Sequence, residues 1–399
     1  MSLPLEGILV VDFSQFLSGP LCSLKLADLG ARVIKIERPG VGDLCRTLYL
    51  SDTEIGGTNS LFHAINRNKE SFTADLRDDA DRHMLRALVT RADVVLQNFR
   101  PGVIERQGFG YDNVRALNPG VVYGSISGYG EDGPWVNLPG QDLLAQARSG
   151  LLWLTGSAGD PPMPMGLAAA DMMAGNALAQ GVLAALVRKA RKGQGGLVQT
   201  SLLEALLDFQ FEVLTTHLND GGRLPQRSAV NGAHAYLGAP YGVYQTADGW
   251  LALAMTPSLE RLAGLMGLTA GLAPWFNNPR EAMRDRDAIK AILAAGVKTG
   301  TTAHWLTLLQ PSDIWCAEVL DWPCLMKSEA FQRLQMVQHI SGGSASLNTL
   351  RGPLRIDGDA LTNPRAAPDL GQDRQAIIQE FGLDLIQTGQ QGKRRSAAS

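Results

Sequence analysis

The sequence has little of what marks several large classes of protein. Its four cysteines are scattered and include no CxxC pair, which argues against a disulfide framework and favours a reducing compartment, so we expect a cytoplasmic protein. No window holds 18 consecutive apolar residues, and we therefore expect no membrane-spanning segment and no membrane partner. The N-terminal stretch MSLPLEGILVVDF lacks a basic region followed by an apolar run, so we do not expect a signal peptide.

A charge excess and several catalytic motifs are missing too. The formal net charge of −3 gives no electrostatic reason to expect nucleic acid as a partner. The six histidines are isolated from one another, which predicts no metal site. A GxSxG elbow is absent, so a serine hydrolase would have no nucleophile. NAD binding is not expected either, because the loop after the first predicted strand ends in Ser18-Gly19-Pro20 and lacks GxGxxG, although Glu37 could hold a ribose hydroxyl.

The residues that are present describe a globular enzyme of two domains. The chain has 399 residues, of which 45% are hydrophobic and 19% are charged. Its first half alternates short β-branched runs with helical patterns, which predicts an α/β fold with a parallel sheet covered by helices. The predicted strands span residues 8–13, 32–37, 72–75, 94–99 and 121–127, and a long helix is predicted from 168 to 192.

The pattern changes after Asp220. Residues 221–241 are rich in Gly, Pro, Asn and Ala and indicate a linker. A hairpin that turns at Asp248-Gly249 is predicted over 241–255, followed by helices over 258–266, 280–295 and 303–309, and together they predict a smaller second domain. Mixed strand and loop character resumes from Ser328, and the basic tail from Lys393 onward is predicted to be frayed.

One carboxylate lies in an unusual setting. Asp171 stands in MGLAAADMMAG, residues 165–175, at the predicted start of the long helix. Burial among apolar neighbours raises the pKa of a carboxyl, whereas the amides and dipole of a helix N-terminus favour the anion. A dehydrated but ionised carboxylate is a good nucleophile, and small neighbours leave room for a substrate. Ordinary first-turn aspartates share this position, so the local composition leaves both interpretations open.

Several segments, taken in order, resemble the class III CoA-transferase family, also called CaiB/BaiF, which includes formyl-CoA transferases. Each motif alone is weak, but the ordered set is specific, and it covers residues 5 to 215 almost continuously. The matching segments are DLGARVIKIERPGVGD at 28–43, NRNKES at 66–71 with Asp75 and Leu76, ADVVLQNFRPG at 92–102 with Arg106, SGYGEDGP at 127–134, and APDLG at 367–371.

The resemblance implies an architecture that composition does not. It implies a Rossmann-like parallel sheet in a large domain built from both chain ends, residues 1–220 and 328–399, with a smaller α+β domain inserted at 221–327. It also implies a homodimer whose two chains are interlocked. Acyl-CoA and a small carboxylic acid would then be the partners, with coenzyme A as a substrate and no tightly bound cofactor.

The resemblance also implies a reaction and a set of site residues. In the family, the aspartate at the position of Asp171 attacks the acyl carbon of a donor acyl-CoA, and an anhydride and an aspartyl-CoA thioester follow in turn. The other implied site residues are Arg38, Lys69 and Arg106 for the CoA nucleotide, Asn98 and Phe99 for the pantetheine channel, and Leu17, Ser18 and Gln141 for the substrate.

Some positions depart from the family pattern. Gln141 stands where the transferases have tyrosine and the related racemases have histidine, and the second domain lacks a Pro-Cys-Gly-Pro stretch and a run of glycines. The donor and acceptor acids therefore stay open. Two alternatives to a CoA-transferase remain. One is a 2-methylacyl-CoA racemase, which needs two acid/base groups on opposite faces of the substrate carbon, and the other is a non-catalytic CoA-binding protein.

Overall fold

The structure is a computed structural model that describes residues 3–48 and 52–383, and the predicted frayed tail from Lys393 onward lies outside the described residues. The chain divides into two compact units. The first contains the chain up to Ala145, residues 168–209 and the chain from Leu334 onward, and the second contains residues 146–167 and 210–333. The domain boundaries predicted at 220 and 327 stay predictions.

The first unit is built on a sheet of six parallel strands. Its strands are β1 (Leu9–Asp12), β2 (Arg32–Glu37), β5 (Lys69–Thr73), β6 (Val94–Gln97), β7 (Val122–Ser127) and β8 (Gly196–Ser201). Two short strands, β3 (Glu54–Ile55) and β4 (Thr58–Asn59), pair with each other outside this sheet. The order β5-β2-β1-β6-β7-β8 reverses direction between β1 and β6. The predicted Rossmann-like α/β class is confirmed, and open parallel sheets bind ligands at such a reversal.

Two strands of the parallel sheet differ most from the prediction. The strand predicted at 72–75 begins at Lys69, because Lys69 and Ser71 are buried polar residues that hydrophobic periodicity does not mark as strand. The strand Gly196–Ser201 was not predicted. It lies at the sheet edge, is exposed on alternate residues, and follows a glycine-rich stretch that is typical of a loop.

Helices cover both faces of this sheet. The helices of this part of the chain are α1 (Ser18–Asp28), α2 (Ser60–Asn66), α3 (Asp79–Val89), α4 (Val103–Arg106), α5 (Tyr111–Leu117), α6 (Asp142–Ser149), α7 (Ala169–Lys192) and α8 (Leu202–Phe209), with a 3-10 turn at Leu44–Arg46. One face carries a core in which Phe13 and Phe72 pack with Leu85 and Leu88 of α3. On the other face α1 and α7 pack against each other and against the strands.

The long helix α7 matches the predicted helix. By length and composition it could cross a membrane. It packs instead on β7, β8, α1 and α8, and its apolar side, which includes Leu178, Val182 and Leu186, is buried. Packing on the sheet therefore accounts for the apolar composition of this helix.

Two buried ion pairs lie beneath the loop that follows β1. Lys35 Nζ is 2.7 Å from Asp43 Oδ2, and Lys69 Nζ is 3.5 Å from Asp12 Oδ2. Burial by itself would raise the pKa of Asp12, yet the two lysine ammonium groups hold that pKa below its ordinary value. Lys35 also donates a hydrogen bond to the carbonyl oxygen of Ser14, at 2.8 Å. Since an unpaired buried charge is costly, these pairs fix the backbone of the loop.

The second unit carries an antiparallel sheet with helices. Its elements are α9 (Phe211–Asn219), β9 (Gly242–Gln245), β10 (Trp250–Leu253), α10 (Leu259–Leu265), α11 (Thr269–Leu272), α12 (Pro279–Arg284), α13 (Arg286–Val297), α14 (Thr302–Leu309), β11 (Cys316–Glu318), α15 (Trp322–Lys327) and α16 (Glu329–Leu334), with 3-10 turns at Leu151–Trp153, Ala273–Trp275 and Gln310–Ser312. The predicted hairpin is the β9–β10 pair. The helix predicted at 280–295 is broken at Asp285, whose carboxylate accepts a hydrogen bond from Trp275 Nε1 at 3.1 Å.

The last described part of the chain belongs to the first unit. It contains the hairpin β12 (Val337–Gly342) and β13 (Ala345–Leu350), the short pair β14 (Arg355–Ile356) and β15 (Asp359–Ala360), and α17 (Arg374–Phe381). Ile377 and Ile378 of α17 are buried in the same core as Phe13 and Phe72. The structure describes one chain, so the interlocked dimer stays a prediction.

Candidate active site

A cavity of about 280 Å³ opens at the carboxyl ends of the parallel strands in the first unit. It lies beside β1 and β6, where the strand order reverses. Its lining comes from the ends of four strands: Phe13 and Gln15 after β1, Ile36, Glu37 and Arg38 of the β2 end, residues 74–77 after β5, and Phe99, Val103 and Gln107 after β6. Aromatic, aliphatic and guanidinium groups together suit a nucleotide with phosphates.

Two of the predicted CoA-binding residues meet in this cavity, Arg38 from the nucleotide set and Phe99 from the pantetheine channel. Arg77 lines it as well and was not predicted; its Nη2 atom is 3.0 Å from Asp75 Oδ2. The signal was present in the sequence, since Arg77 directly follows the matched residues Asp75 and Leu76.

The carboxylate of Glu37 is used inside the protein. Although Glu37 borders the cavity, its oxygens accept hydrogen bonds from Arg46 Nε and Nη2, each at 2.8 Å, and from Ser71 Oγ at 2.6 Å. Burial would raise the pKa of Glu37, and the Arg46 guanidinium keeps it below its ordinary value. These contacts give Glu37 a role in holding the loop after β2.

The other two predicted cations lie elsewhere. Arg106 is exposed at the end of α4, the helix that contributes Val103 to the cavity. Lys69 is fully buried within the sheet, and its ammonium group donates hydrogen bonds to Pro20 O at 2.8 Å and Asn66 Oδ1 at 2.9 Å. This geometry favours a structural role for Lys69, and its assignment to the nucleotide stays a prediction.

Asn98 holds the loop between β1 and α1. Its Oδ1 accepts a hydrogen bond from Gln15 N at 2.8 Å, and its Nδ2 donates to Gln15 O at 2.8 Å and to Ser18 Oγ at 3.3 Å. Gly19 must be glycine in this arrangement, because a β-carbon there would lie 2.2 Å from Ser14 Cβ. The side chain predicted for the pantetheine channel therefore also sets the position of Ser18.

Asp171 lies in the first turn of α7, where it meets the first turn of α1. The Ser18 hydroxyl lies beside the Asp171 carboxylate, close enough for hydrogen bonding to lower the pKa of Asp171. Gly175, one turn later in α7, allows this approach, because a β-carbon there would lie 2.6 Å from the carbonyl oxygen of Ser18. The structure thus brings together two of the residues that the resemblance assigns to the reaction.

Asp171 is more basic than an ordinary aspartate. Burial raises its pKa, the nearby Asp142 carboxylate raises it further, and the Ser18 hydrogen bond lowers it, which gives a pKa of about 6. At neutral pH the carboxylate is still mostly ionised. The sequence predicted the effect of burial, but the like charge of Asp142 was not predicted.

Leu17 and Gln141, the remaining predicted substrate residues, lie on two different segments. Leu17 is partly buried and packs on a small cluster that contains Cys45, Phe62 and Ile65. Gln141 directly precedes α6 and is exposed, and its carbonyl oxygen accepts a hydrogen bond from Ala145 N at 3.0 Å. Their contact with a substrate stays a prediction.

Comparison with known proteins identifies the family. The family model described as CoA-transferase family III matches residues 5–374. The chain belongs to this family. Succinyl-CoA:mesaconate CoA-transferase of Haloarcula hispanica is 36% identical over 389 residues, which are 95% of this chain and 96% of that protein. Acetyl-CoA:oxalate CoA-transferase of Acetobacter aceti is 33% identical over 385 residues, which are 95% of this chain and 96% of that protein.

A solved structure supports the same conclusion. The CaiB/BaiF family protein from Brucella suis aligns with a TM-score of 0.82 at 28% identity, covering 96% of this chain and 100% of that chain. The resemblance found in the sequence motifs is therefore confirmed. The protein is a CoA-transferase, an enzyme whose relatives act on acyl-CoA and carboxylic acids.

We predict that Asp171→Asn stabilises this CoA-transferase above pH 6. The folded-state pKa of about 6 lies above the ordinary value of 3.8, so the folded protein carries an unfavourable charge at neutral pH that the unfolded chain does not feel. Removing it should raise the free energy of unfolding by on the order of 1–2 kcal/mol at pH 8, after allowance for partial solvent screening, and the gain should vanish as the pH falls to about 4. Thermal unfolding from pH 4 to 8 measures this.

Asp321→Asn is the matched control. Asp321 also lies at a helix start, and hydrogen bonding by the Cys324 side chain and by Cys324 N, which is 2.8 Å away, lowers the pKa of Asp321. Its replacement should give no gain at pH 8. An equal gain for both variants, or none for Asp171→Asn, would contradict the assigned environment of Asp171.

Proposed function

We propose that this enzyme moves coenzyme A from a donor acyl-CoA to a carboxylic acid, with Asp171 as the covalent nucleophile. The observation that carries the proposal is the partly buried carboxylate of Asp171 in the first turn of α7, which has a raised pKa and lies beside the Ser18 hydroxyl. A carboxylate that has lost part of its hydration and stays ionised attacks an acyl carbon more readily than a solvated one.

The proposed reaction has four transfers at Asp171. The carboxylate oxygen attacks the donor acyl carbon, and CoA thiolate leaves, which gives a mixed anhydride. The thiolate then attacks the aspartyl carbonyl carbon, and the donor acid leaves as a carboxylate. The acceptor carboxylate attacks the resulting aspartyl-CoA thioester and displaces the thiolate, which finally attacks the acceptor carbonyl and restores Asp171. Each step keeps an activated acyl bond.

We propose small carboxylic acids, dicarboxylates among them, as the substrates. Relatives similar over nearly the whole chain are a succinyl-CoA:mesaconate and an acetyl-CoA:oxalate CoA-transferase, and a mouse relative that is 27% identical is a succinyl-CoA:glutarate CoA-transferase. The CoA nucleotide is proposed to lie in the cavity at the strand ends, held by Arg38 and Phe99 with Arg77 and Arg106 near its phosphates. A racemase is less well supported, because the Gln141 amide cannot exchange a proton at neutral pH.

Trapping with hydroxylamine tests the nucleophile. After incubation with succinyl-CoA or acetyl-CoA, the Asp171 carbonyl should be an electrophile, and hydroxylamine should convert it to a hydroxamate that a peptide map locates. Asp171→Ala should abolish both the adduct and turnover while CoA binding persists. Asp171→Glu should lose on the order of 100-fold in kcat, because one methylene displaces the attacking oxygen by about an ångström. Oxalate, mesaconate and glutarate serve as acceptors.

Asp112→Ala is the control for this experiment, since Asp112 is a first-turn aspartate of α5. It should keep both adduct and turnover. A hydroxamate on another carboxyl group, with Asp171→Ala still active, would refute the assignment. Full turnover without any adduct would indicate direct transfer.

Replacing Arg38 with alanine tests the nucleotide site. Arg38 lines the cavity together with Phe99, and loss of a charge-assisted contact to a phosphate should raise KM for acyl-CoA about tenfold. KM for the acceptor acid should change little. Arg333→Ala, which removes an exposed arginine paired with Glu329, should change neither constant. Equal rises in both KM values for Arg38→Ala would argue against a nucleotide role.

We also propose that the enzyme is a cytoplasmic homodimer. Large apolar side chains are exposed on the second unit, among them Phe211 (68%), Leu218 (73%) and Trp322 (79%), and such side chains suit burial against a second copy. Sedimentation should find a dimer at micromolar concentration. A stable folded monomer would contradict the proposal.

A further inference from the structure

The start of α7 is capped by a residue that is distant in sequence. The N-cap residue Ala168 offers no side-chain acceptor to the amides of the first turn. Asp142 supplies one, because its Oδ1 accepts hydrogen bonds from Ala170 N at 2.7 Å and from Asp171 N at 3.2 Å. These are amides that an N-cap side chain would normally satisfy. The nucleophile is therefore held through its own backbone.

The segment that carries Asp142 is fixed to the end of β7. The backbones of Gly128 and Gly140 touch, and a β-carbon on Gly140 would lie 2.5 Å from Gly128 Cα. Tyr129 Oη also donates a hydrogen bond to Pro139 O at 3.2 Å. A side chain on either glycine would collide with the other segment, so only glycine fits at both positions. This close packing fixes the backbone just before Asp142 and with it the position of the Asp142 carboxylate.

Three groups from neighbouring elements face the Asp171 carboxylate. The Ser18 hydroxyl of α1 lowers the pKa of Asp171, and the like charge of the Asp142 carboxylate of α6 raises it. The Cys45 thiol lies in the 3-10 turn Leu44–Arg46; burial raises its pKa to about 12, with Asp43 and Asp171 adding to the rise, so it stays neutral. Asp142 is thus the anion that opposes the negative charge on Asp171.

We propose that Asp142 is a positioning residue that fixes the Asp171 backbone and whose charge favours the neutral acylated forms of Asp171 over its free carboxylate. This inference rests on the proposed function. When the Asp171 oxygen bonds to the acyl carbon and the C–S bond breaks, the negative charge leaves Asp171 with the thiolate. The anhydride and the thioester at Asp171 are both uncharged, so the repulsion from Asp142 is relieved in each.

The test compares Asp142→Asn with Asp142→Ala. Asparagine keeps an oxygen that can accept both amide hydrogen bonds and removes the charge, whereas alanine removes both. With succinyl-CoA as the donor, Asp142→Asn should move the acidic limb of the kcat/KM profile down by about one pH unit and lower the equilibrium ratio of trapped to free Asp171 about tenfold. KM for succinyl-CoA should stay within about twofold, since no nucleotide contact is lost. Asp142→Ala should lose more of kcat than Asp142→Asn.

A second measurement needs no activity. The gain in thermal stability on replacing Asp171 with asparagine should be smaller at pH 8 in the Asp142→Asn background than in the wild type. The reason is that the repulsion between the Asp142 and Asp171 carboxylates, which contributes to this gain, is absent in that background. Asp321→Asn, a capping carboxylate replaced in the second unit, should leave that gain and the pH profile unchanged.

The outcomes separate the two proposals. If the wild type forms the Asp171 adduct and Asp142→Asn shows the same pH limb, adduct ratio and stability gain, the role of Asp142 is refuted and the proposed function stands. If the wild type forms no adduct at Asp171, the proposed function fails and the bias toward acylation fails with it. The stability comparison then still decides whether the charges of Asp142 and Asp171 interact.

Discussion

The close approach of α1 to α7 is the constraint on which the rest of the site depends. Gly175 lets the Ser18 carbonyl oxygen come so near that any side chain at that position would collide with it. This approach brings the Ser18 hydroxyl near the Asp171 carboxylate, one helical turn before Gly175, where it lowers the pKa of Asp171. Asn98, which follows β6, donates a hydrogen bond to the same Ser18 hydroxyl. The segments after β1 and β6 and the start of α7 therefore meet at Ser18.

The buried charges beneath this point give it rigidity. Lys69 donates to the carbonyl oxygen of Pro20 in the first turn of α1, and Lys35 donates to that of Ser14 in the preceding loop. Their carboxylate partners, Asp12 and Asp43, are also buried. Such pairs add little net stability compared with apolar residues, but moving one partner would leave a buried charge without compensation. The loop that carries Ser18 is therefore held in one conformation, as precise catalysis requires.

The sequence predicted the features that depend on neighbouring residues better than those that depend on contacts between residues far apart in the chain. The α/β class, the long helix and the first-turn position of Asp171 follow from local periodicity. Arg38 and Phe99 were assigned to CoA only through the motif match, and it is the fold that brings them to one cavity. Lys69 looked like a phosphate ligand, because nothing local shows that Asp12, on another strand, would be its buried neighbour. Asp142 was missed for the same reason, because its hydrogen bonds to the backbone of α7 bridge 28 and 29 residues of chain.

The environment of Asp171 balances two requirements. A higher pKa makes the carboxylate a stronger nucleophile, but beyond neutrality it would be protonated and unable to attack. A pKa of about 6 leaves roughly ten ionised groups for each protonated one at pH 7. Burial and Asp142 push the pKa up, and the Ser18 hydrogen bond limits the rise. The folded protein thus carries a destabilising charge at Asp171, the residue that we propose is acylated, and acylation there would remove that charge.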